Sequence, residues 1–147
     1  MKAVVQRVAG ARVRVGEEVA GEVGPGLCIL LGVARGDDAA AASRLAGRIA
    51  RLRIFENEDG RFDRSLLDTG GEALVVSQFT LLGDTTRRKG TRPDFSRAAP
   101  REEAEPLYEC FCESLRELGV RVETGVFRAR MAVELENDGP VTIILET

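Results

Sequence analysis

Apolar and polar positions alternate in ways that divide the chain into a strand-rich first third, a helix, a buried strand, an irregular stretch, a second helix and closing strands. Ala3 to Val8 is a short apolar run, and Val13 and Val15 alternate with Arg12 and Arg14 at the period of two expected of a half-buried strand. Gly16-Glu17-Glu18 marks a turn into Val19 to Val23, and Gly24-Pro25-Gly26 marks a second. Leu27 to Val33 is apolar on both faces, as a central strand is, and these segments together predict an antiparallel meander. Asp37 and Asp38 are placed to cap a helix whose stripe is Ala42, Leu45, Ala46, Ile49 and Leu52. Ile54-Phe55 and Phe62 flank the turn Asn57-Glu58-Asp59-Gly60.

Ala73 to Val76 predicts another buried strand, running straight into Ser77-Gln78-Phe79-Thr80-Leu81. Residues 83–97 have no periodicity and predict a long loop, a length that in compact domains usually serves function. A second helix is expected from near Pro100, with Glu102 and Glu103 at its positive end. Its stripe is Ala104, Leu107, Tyr108, Phe111, Leu115 and Leu118, and Gly119 fits its stop. Met131, Val133 and Leu135 alternate with polar neighbours, Asn137-Asp138-Gly139-Pro140 reads as a tight turn, and Val141 to Leu145 closes the chain as a strand. The expected fold is one α+β domain over residues 1–147, with a mainly antiparallel, barrel-like sheet and two packed helices.

Composition narrows the chemistry. With 147 residues, 44% of them apolar and 31% charged, the chain can bury a core, which excludes disorder. A net charge of −3 excludes a polycation held to nucleic acid by bulk charge, so any such contact needs a local basic patch. No run approaches the roughly 18 apolar residues of a membrane span, and the opening residues carry no signal-peptide pattern. A cytoplasmic protein without membrane contact is the expectation.

Histidine is absent, which removes Ser-His and Cys-His pairs, imidazole bases and His-containing zinc sites. Cys28, Cys110 and Cys112 form no CxxC and read as reduced thiols. There is no phosphate-cradling P-loop and no dinucleotide fingerprint, and the acids Glu56, Glu58 and Asp59 read as solvated. No cofactor and no metal is called for.

Three segments can carry chemistry. Ser77-Gln78-Phe79-Thr80 sets two hydroxyls and an amide at the mouth of a buried strand, where they either line a pocket with an oxyanion hole of backbone N–H groups or merely satisfy a strand end. Asn137-Asp138-Gly139-Pro140-Val141-Thr142 fits an ordinary hairpin turn, and its spacing does not reveal whether the Gly-Pro bond is cis. Arg87, Arg88, Lys89 and Arg92 form a cationic run without acids, which suits either a solvated loop or a phosphate backbone.

The opening Gln6-Arg7-Val8, the Ser77-to-Leu81 block, Arg92-Pro93-Asp94-Phe95-Ser96 and the Asn137-to-Thr142 block occur together and in order. In this the whole chain resembles the D-aminoacyl-tRNA deacylases, also called D-tyrosyl-tRNA deacylases. The resemblance implies a homodimer that hydrolyses the ester between a D-amino acid and the 3′-terminal ribose of tRNA. It also implies a cis Gly139-Pro140 bond in a turn that enters the partner's active site, braced by Arg7, with Ser77, Gln78, Phe79 and Thr80 around the scissile ester. Phe127 and Met131 are candidates for an apolar wall under the terminal adenine, and Arg87, Arg88, Lys89 and Arg92 for tRNA phosphates. On that implication the backbone N–H of Phe79, with that of Thr80, holds the oxyanion while the 2′-hydroxyl assists water, and a Thr80 nucleophile ranks second because no base is present to activate it. A non-catalytic RNA-binding module and a small-molecule esterase using Ser77 or Thr80 stay open as other readings.

Overall fold

A computed structural model describes residues 1–86 and 91–147. Strand β1 (Lys2–Val15) organises the sheet, with β8 (Ala132–Glu146) antiparallel along one edge. Its other edge is shared by β3 (Gly26–Gly32), which pairs with the first half, and β2 (Glu18–Val23), which pairs with the second. The sheet continues through β6 (Glu72–Ser77) to β7 (Val122–Thr124), and both of these pairings are parallel. A β-carbon at Gly21 of β2 would lie 2.5 Å from the carbonyl oxygen of Thr124 in β7, so glycine lets the two ends of the sheet approach and nearly close a barrel.

The apolar runs of β3 and β6 are buried on both faces for a concrete reason. Leu27, Ile29 and Leu31, with Ala73 and Val75, join the larger core under the helices; Cys28, Leu74 and Val76 join a second cluster with Val8, Val13 and Val23. Helix α1 (Ala39–Ala50) lays Leu45, Ala46 and Ile49 on the larger core, and α3 (Arg101–Glu117) adds Tyr108, Phe111 and Leu115. Each fully buried Leu, Ile or Phe is worth roughly 1.5–3 kcal/mol. Asp38 caps α1 by accepting from Ala41 N–H at 2.7 Å. Asp37 does something else: its carboxylate meets the N-terminal ammonium of Met1 and the N–H of Ala34, each at 2.7 Å.

The expected α+β, barrel-like architecture with two packed helices is the observed one, with changes in its parts. The two opening strands are one, because register shifts near Val8 let β1 continue where the apolar pattern breaks. The meander ends at β3, since α1 carries the chain over to a parallel β6. Between Phe62 and Glu72 the pattern missed a one-turn helix, α2 (Leu66–Thr69), held by a capping box between Ser65 and Asp68 and ended by left-handed Gly70. It also missed β7. Phe55–Glu56 (β4) and Phe62–Arg64 (β5) form a small separate hairpin.

Asn137-Asp138-Gly139-Pro140 departs furthest from the expected tight turn. This segment is no hairpin turn, because the chain runs on in the same direction as β8 on both sides of it. Gln6 pairs with Thr142 and Val8 with Asn137, which leaves Asp138, Gly139, Pro140 and Val141 bulged opposite Arg7 alone.

Candidate active site

Strand β6 ends at Ser77, at the strand mouth expected for the Ser77-to-Thr80 block. The N–H of Gln78 still reaches Leu31 O at 2.8 Å, and Phe79–Leu82 then wind into a 3-10 turn closed by Leu81 N–H to Gln78 O at 3.2 Å. Glycine at position 32 allows this, since a β-carbon there would lie 2.4 Å from the Leu82 side chain and 2.9 Å from Gln78 O. The amides of Phe79 and Thr80 precede the first hydrogen bond of the turn, and among the described residues neither donates to another group. The side-chain amide of Gln78 donates to Thr80 Oγ1.

This turn borders a cleft of about 430 Å³. Ser77, Gln78 and Phe79 line one part, Phe127, Met131 and Val133 another, and Ala98, Ala99, Pro100 and Arg101 a third. Ala99 N–H donates to Val33 O at 2.9 Å, which ties the approach to α3 onto the end of β3. Buried Tyr108 links helix and strand by donating its hydroxyl to Val75 O at 2.8 Å, and the Phe127 ring leans on it at 5.8 Å between centroids. Phe79 is 57% exposed and meets Phe95 edge to face at 5.2 Å. The cleft therefore combines an apolar wall with a polar corner at Ser77, Gln78 and the unengaged N–H of Phe79, while Thr80 is exposed just outside the lining.

Arg7, Gly139 and Pro140 belong to a different place and do not line this cleft. Arg7 is only 6% exposed, and its guanidinium donates to Ile54 O at 2.9 Å and to Asp138 O at 3.0 Å. Glu56 and the Asp138 carboxylate lie at 3.6 and 3.3 Å, and the Phe62 ring covers it at 5.7 Å. Glu56 is half exposed, as expected of a solvated acid, and also pairs with Arg7. Asn137 ties the base of the bulge, its amide donating to Arg7 O at 2.9 Å and Val141 O at 3.1 Å. The Gly139-Pro140 bond is cis, and residues 135–140 are exposed.

Of the cationic run, Arg92 is exposed and does not line the cleft, while Arg87, Arg88 and Lys89 lie outside the described residues. Burial pushes the Cys28 thiol up to about 11 and the Cys112 thiol up to about 12, so neither supplies a thiolate near neutral pH. Sequence reasoning missed Arg101, Arg128 and the 98–100 segment, which meet only through tertiary pairing.

A model of the D-Tyr-tRNA(Tyr) deacylase family matches residues 4–146. The chain belongs to this family. Curated members named D-aminoacyl-tRNA deacylase include one from Symbiobacterium thermophilum, 58% identical over all of this chain and 96% of its own length. Another, from Roseiflexus sp. (strain RS-1), is 61% identical over all of this chain and 94% of its own. A solved structure of the c-Myc DNA Unwinding Element Binding Protein has TM-score 0.90 and 44% identity, covering 100% of this chain and 99% of that one. A probable eukaryotic D-amino acid tRNA deacylase, 19% identical with TM-score 0.81 over 98% and 97% of the chains, shares the fold. Among the described residues, no helix is long and apolar enough to cross a membrane.

Proposed function

We propose that this deacylase hydrolyses the ester of D-aminoacyl-tRNA, releasing the D-amino acid and free tRNA. The observation that carries the reading is the cleft itself: Phe79, whose N–H is unengaged, borders a space walled by Phe127 and Met131, with the unengaged N–H of Thr80 next in the same turn. A tetrahedral intermediate needs donors aimed at its oxyanion, and an adenine needs a flat apolar wall. An aminoacyl ester is already activated by its α-ammonium group and has a vicinal hydroxyl beside it. Orientation and an oxyanion hole then suffice without a side-chain base. The Gln78 amide donates to Thr80 Oγ1 and is no base, which supports keeping Thr80 second as a nucleophile.

Chirality, in this proposal, is read by the Gly139 and Pro140 carbonyls, which accept from the substrate ammonium. With ammonium and ester carbon both fixed, a D side chain points to solvent and an L side chain meets protein. Discrimination is then rejection of L, so glycyl-tRNA is also a substrate and the identity of the D side chain matters little.

The carbonyl pair reaches the cleft of a partner subunit in a homodimer. The exposure of residues 135–140 and their separation from the cleft of their own chain support that arrangement. Ser77, Gln78, Phe79 and Thr80 serve the ester, Arg7 braces Gly139-Pro140, and Arg87, Arg88, Lys89 and Arg92 meet tRNA phosphates.

D-Tyr-tRNA and L-Tyr-tRNA offered in parallel test the function. The expected result is release of D-tyrosine with the L ester spared. Binding without release would instead make the protein an RNA-binding module, and hydrolysis of simple esters with indifference to tRNA would make it an esterase.

A further inference from the structure

The cleft has a feature that hydrolysis of the ester leaves unused. Two arginines line it, Arg101 at the start of α3 and Arg128 in the turn that begins at Val126 and closes with Ala129 N–H on Val126 O at 3.1 Å. Arg101 is engaged, its Nε lying 2.9 Å from Glu105. Arg128 forms no ion pair or side-chain hydrogen bond among the described residues. Its backbone is also unusual: at φ 65° it is the one non-glycine residue with positive φ among those described. Glycine takes that conformation freely, whereas a residue with a β-carbon there is strained. The strained turn holds an unpaired cation against a cleft whose neighbouring wall, Phe127 and Met131, is apolar.

We infer that Arg128 binds the 5′-phosphate of the terminal nucleotide of the tRNA, an inference that rests on the adenine-wall reading above. A nucleotide held by its base on Phe127 and Met131 presents its ester on O3′ and its phosphate on the exocyclic C5′, two separate attachment points. The ester goes to the Ser77–Thr80 corner, so the phosphate needs a cation on a different element, adjoining the base wall. Arg128 follows Phe127 directly and meets that requirement. Its planar fork matches two phosphate oxygens, and with no carboxylate to displace, binding a phosphodiester breaks no existing pair. The contact adds affinity for the end of any tRNA, whatever amino acid it carries.

The test compares adenosine with adenosine 5′-methylphosphate, whose single charge mimics a phosphodiester, by NMR titration of the wild type, Arg128→Gln and Arg128→Gly. The expected result is about tenfold tighter binding of the phosphorylated ligand by the wild type, the scale of one charge-assisted hydrogen-bonded pair, and a ratio near one in both variants. Arg128→Gly relaxes the strained backbone, so agreement between the variants assigns the effect to the guanidinium. Equal binding of both ligands by the wild type, or a ratio that survives in either variant, would overturn the assignment. The same ratio is read in KM with 3′-D-tyrosyl-adenosine and its 5′-methylphosphate. Turnover of both esters without preference would sink this inference and spare the deacylase reading. A phosphate preference in binding with no turnover would do the reverse.

Discussion

Replacing Arg7 by Met keeps much of the side chain's volume and removes the charge that joins β1, the β4–β5 hairpin and the Gly139-Pro140 bulge. Two charge-assisted hydrogen bonds disappear, to Ile54 O and Asp138 O. Each is worth roughly 1.5–3 kcal/mol in general. The ion pairs add little, because Glu56 and Asp138 have side chains 51% and 58% exposed and water takes over their charge. The methionine stem recovers some packing, so the expected net loss is about 3 kcal/mol. A domain with about 5–15 kcal/mol of stability stays folded at 25 °C after such a loss. Urea denaturation measures the stability change, and release of D-tyrosine from D-Tyr-tRNA measures the consequence for the site. If the brace sets the carbonyl positions, kcat/KM falls roughly 100-fold in protein that is still folded, the scale of a misplacement near 1 Å. Arg7→Lys keeps the charge but not the fork and falls between wild type and Arg7→Met. A variant that loses the expected stability yet keeps kcat/KM within threefold of wild type would refute the bracing role.

Other expectations follow from the same contacts. Thr80→Val on normal substrate loses less than about tenfold, whereas wild type on a 2′-deoxy-terminated substrate loses at least 100-fold; the opposite order in single-turnover rates would restore Thr80 as nucleophile. Asn137→Ala removes both hydrogen bonds at the base of the bulge and costs about 1–3 kcal/mol in chemical denaturation. Gly139→Ala acts through the same amide, since its β-carbon would lie 2.7 Å from Asn137 Oδ1, and it lowers D-ester turnover. The N–H and hydroxyl of Ser65 hold the Asp68 carboxyl below its usual 3.8, so Asp68 contributes stability above that pH and loses it as pH falls through the lowered value. Asp68→Ala is accordingly destabilised at pH 7, and urea denaturation at stepwise lower pH shows the gap from wild type narrowing below pH 4.

Helices α1 and α3 were legible because each has a stripe of buried residues, with a start signal at Asp38 for α1 and a stop at Gly119 for α3. The double-sided burial of β3 and β6 was legible from uninterrupted apolar runs. Their parallel pairing was not, because an apolar run says that a strand is central and nothing about the direction of its neighbour. The Asn137-to-Pro140 error has a specific cause: Asn, Asp, Gly and Pro suit a bulge as well as a hairpin turn. What separates the two is whether the next strand returns to β1 in the same direction, a long-range fact. The stretch 83–97 reads as aperiodic, yet Asp84 and Asp94 exchange backbone hydrogen bonds at 2.8 and 2.9 Å, and Phe95 is thereby brought onto Phe79.

The candidate site was legible to a similar depth. Ser77, Gln78, Phe79, Phe127 and Met131 do meet at one cleft. Arg128 was hidden, because a lone arginine between Phe and Ala carries no local signal of left-handed backbone or of a cleft beside it.

The geometry of chiral rejection is most directly examined in a crystal of the protein with a hydrolysis-resistant amide analogue of 3′-D-tyrosyl-adenosine. The account predicts the ligand's ammonium between the Gly139 and Pro140 carbonyls of a partner subunit, its carbonyl oxygen facing the N–H of Phe79 and its tyrosine ring in solvent. An ammonium held elsewhere, or a D side chain buried in a fitted pocket, would contradict it.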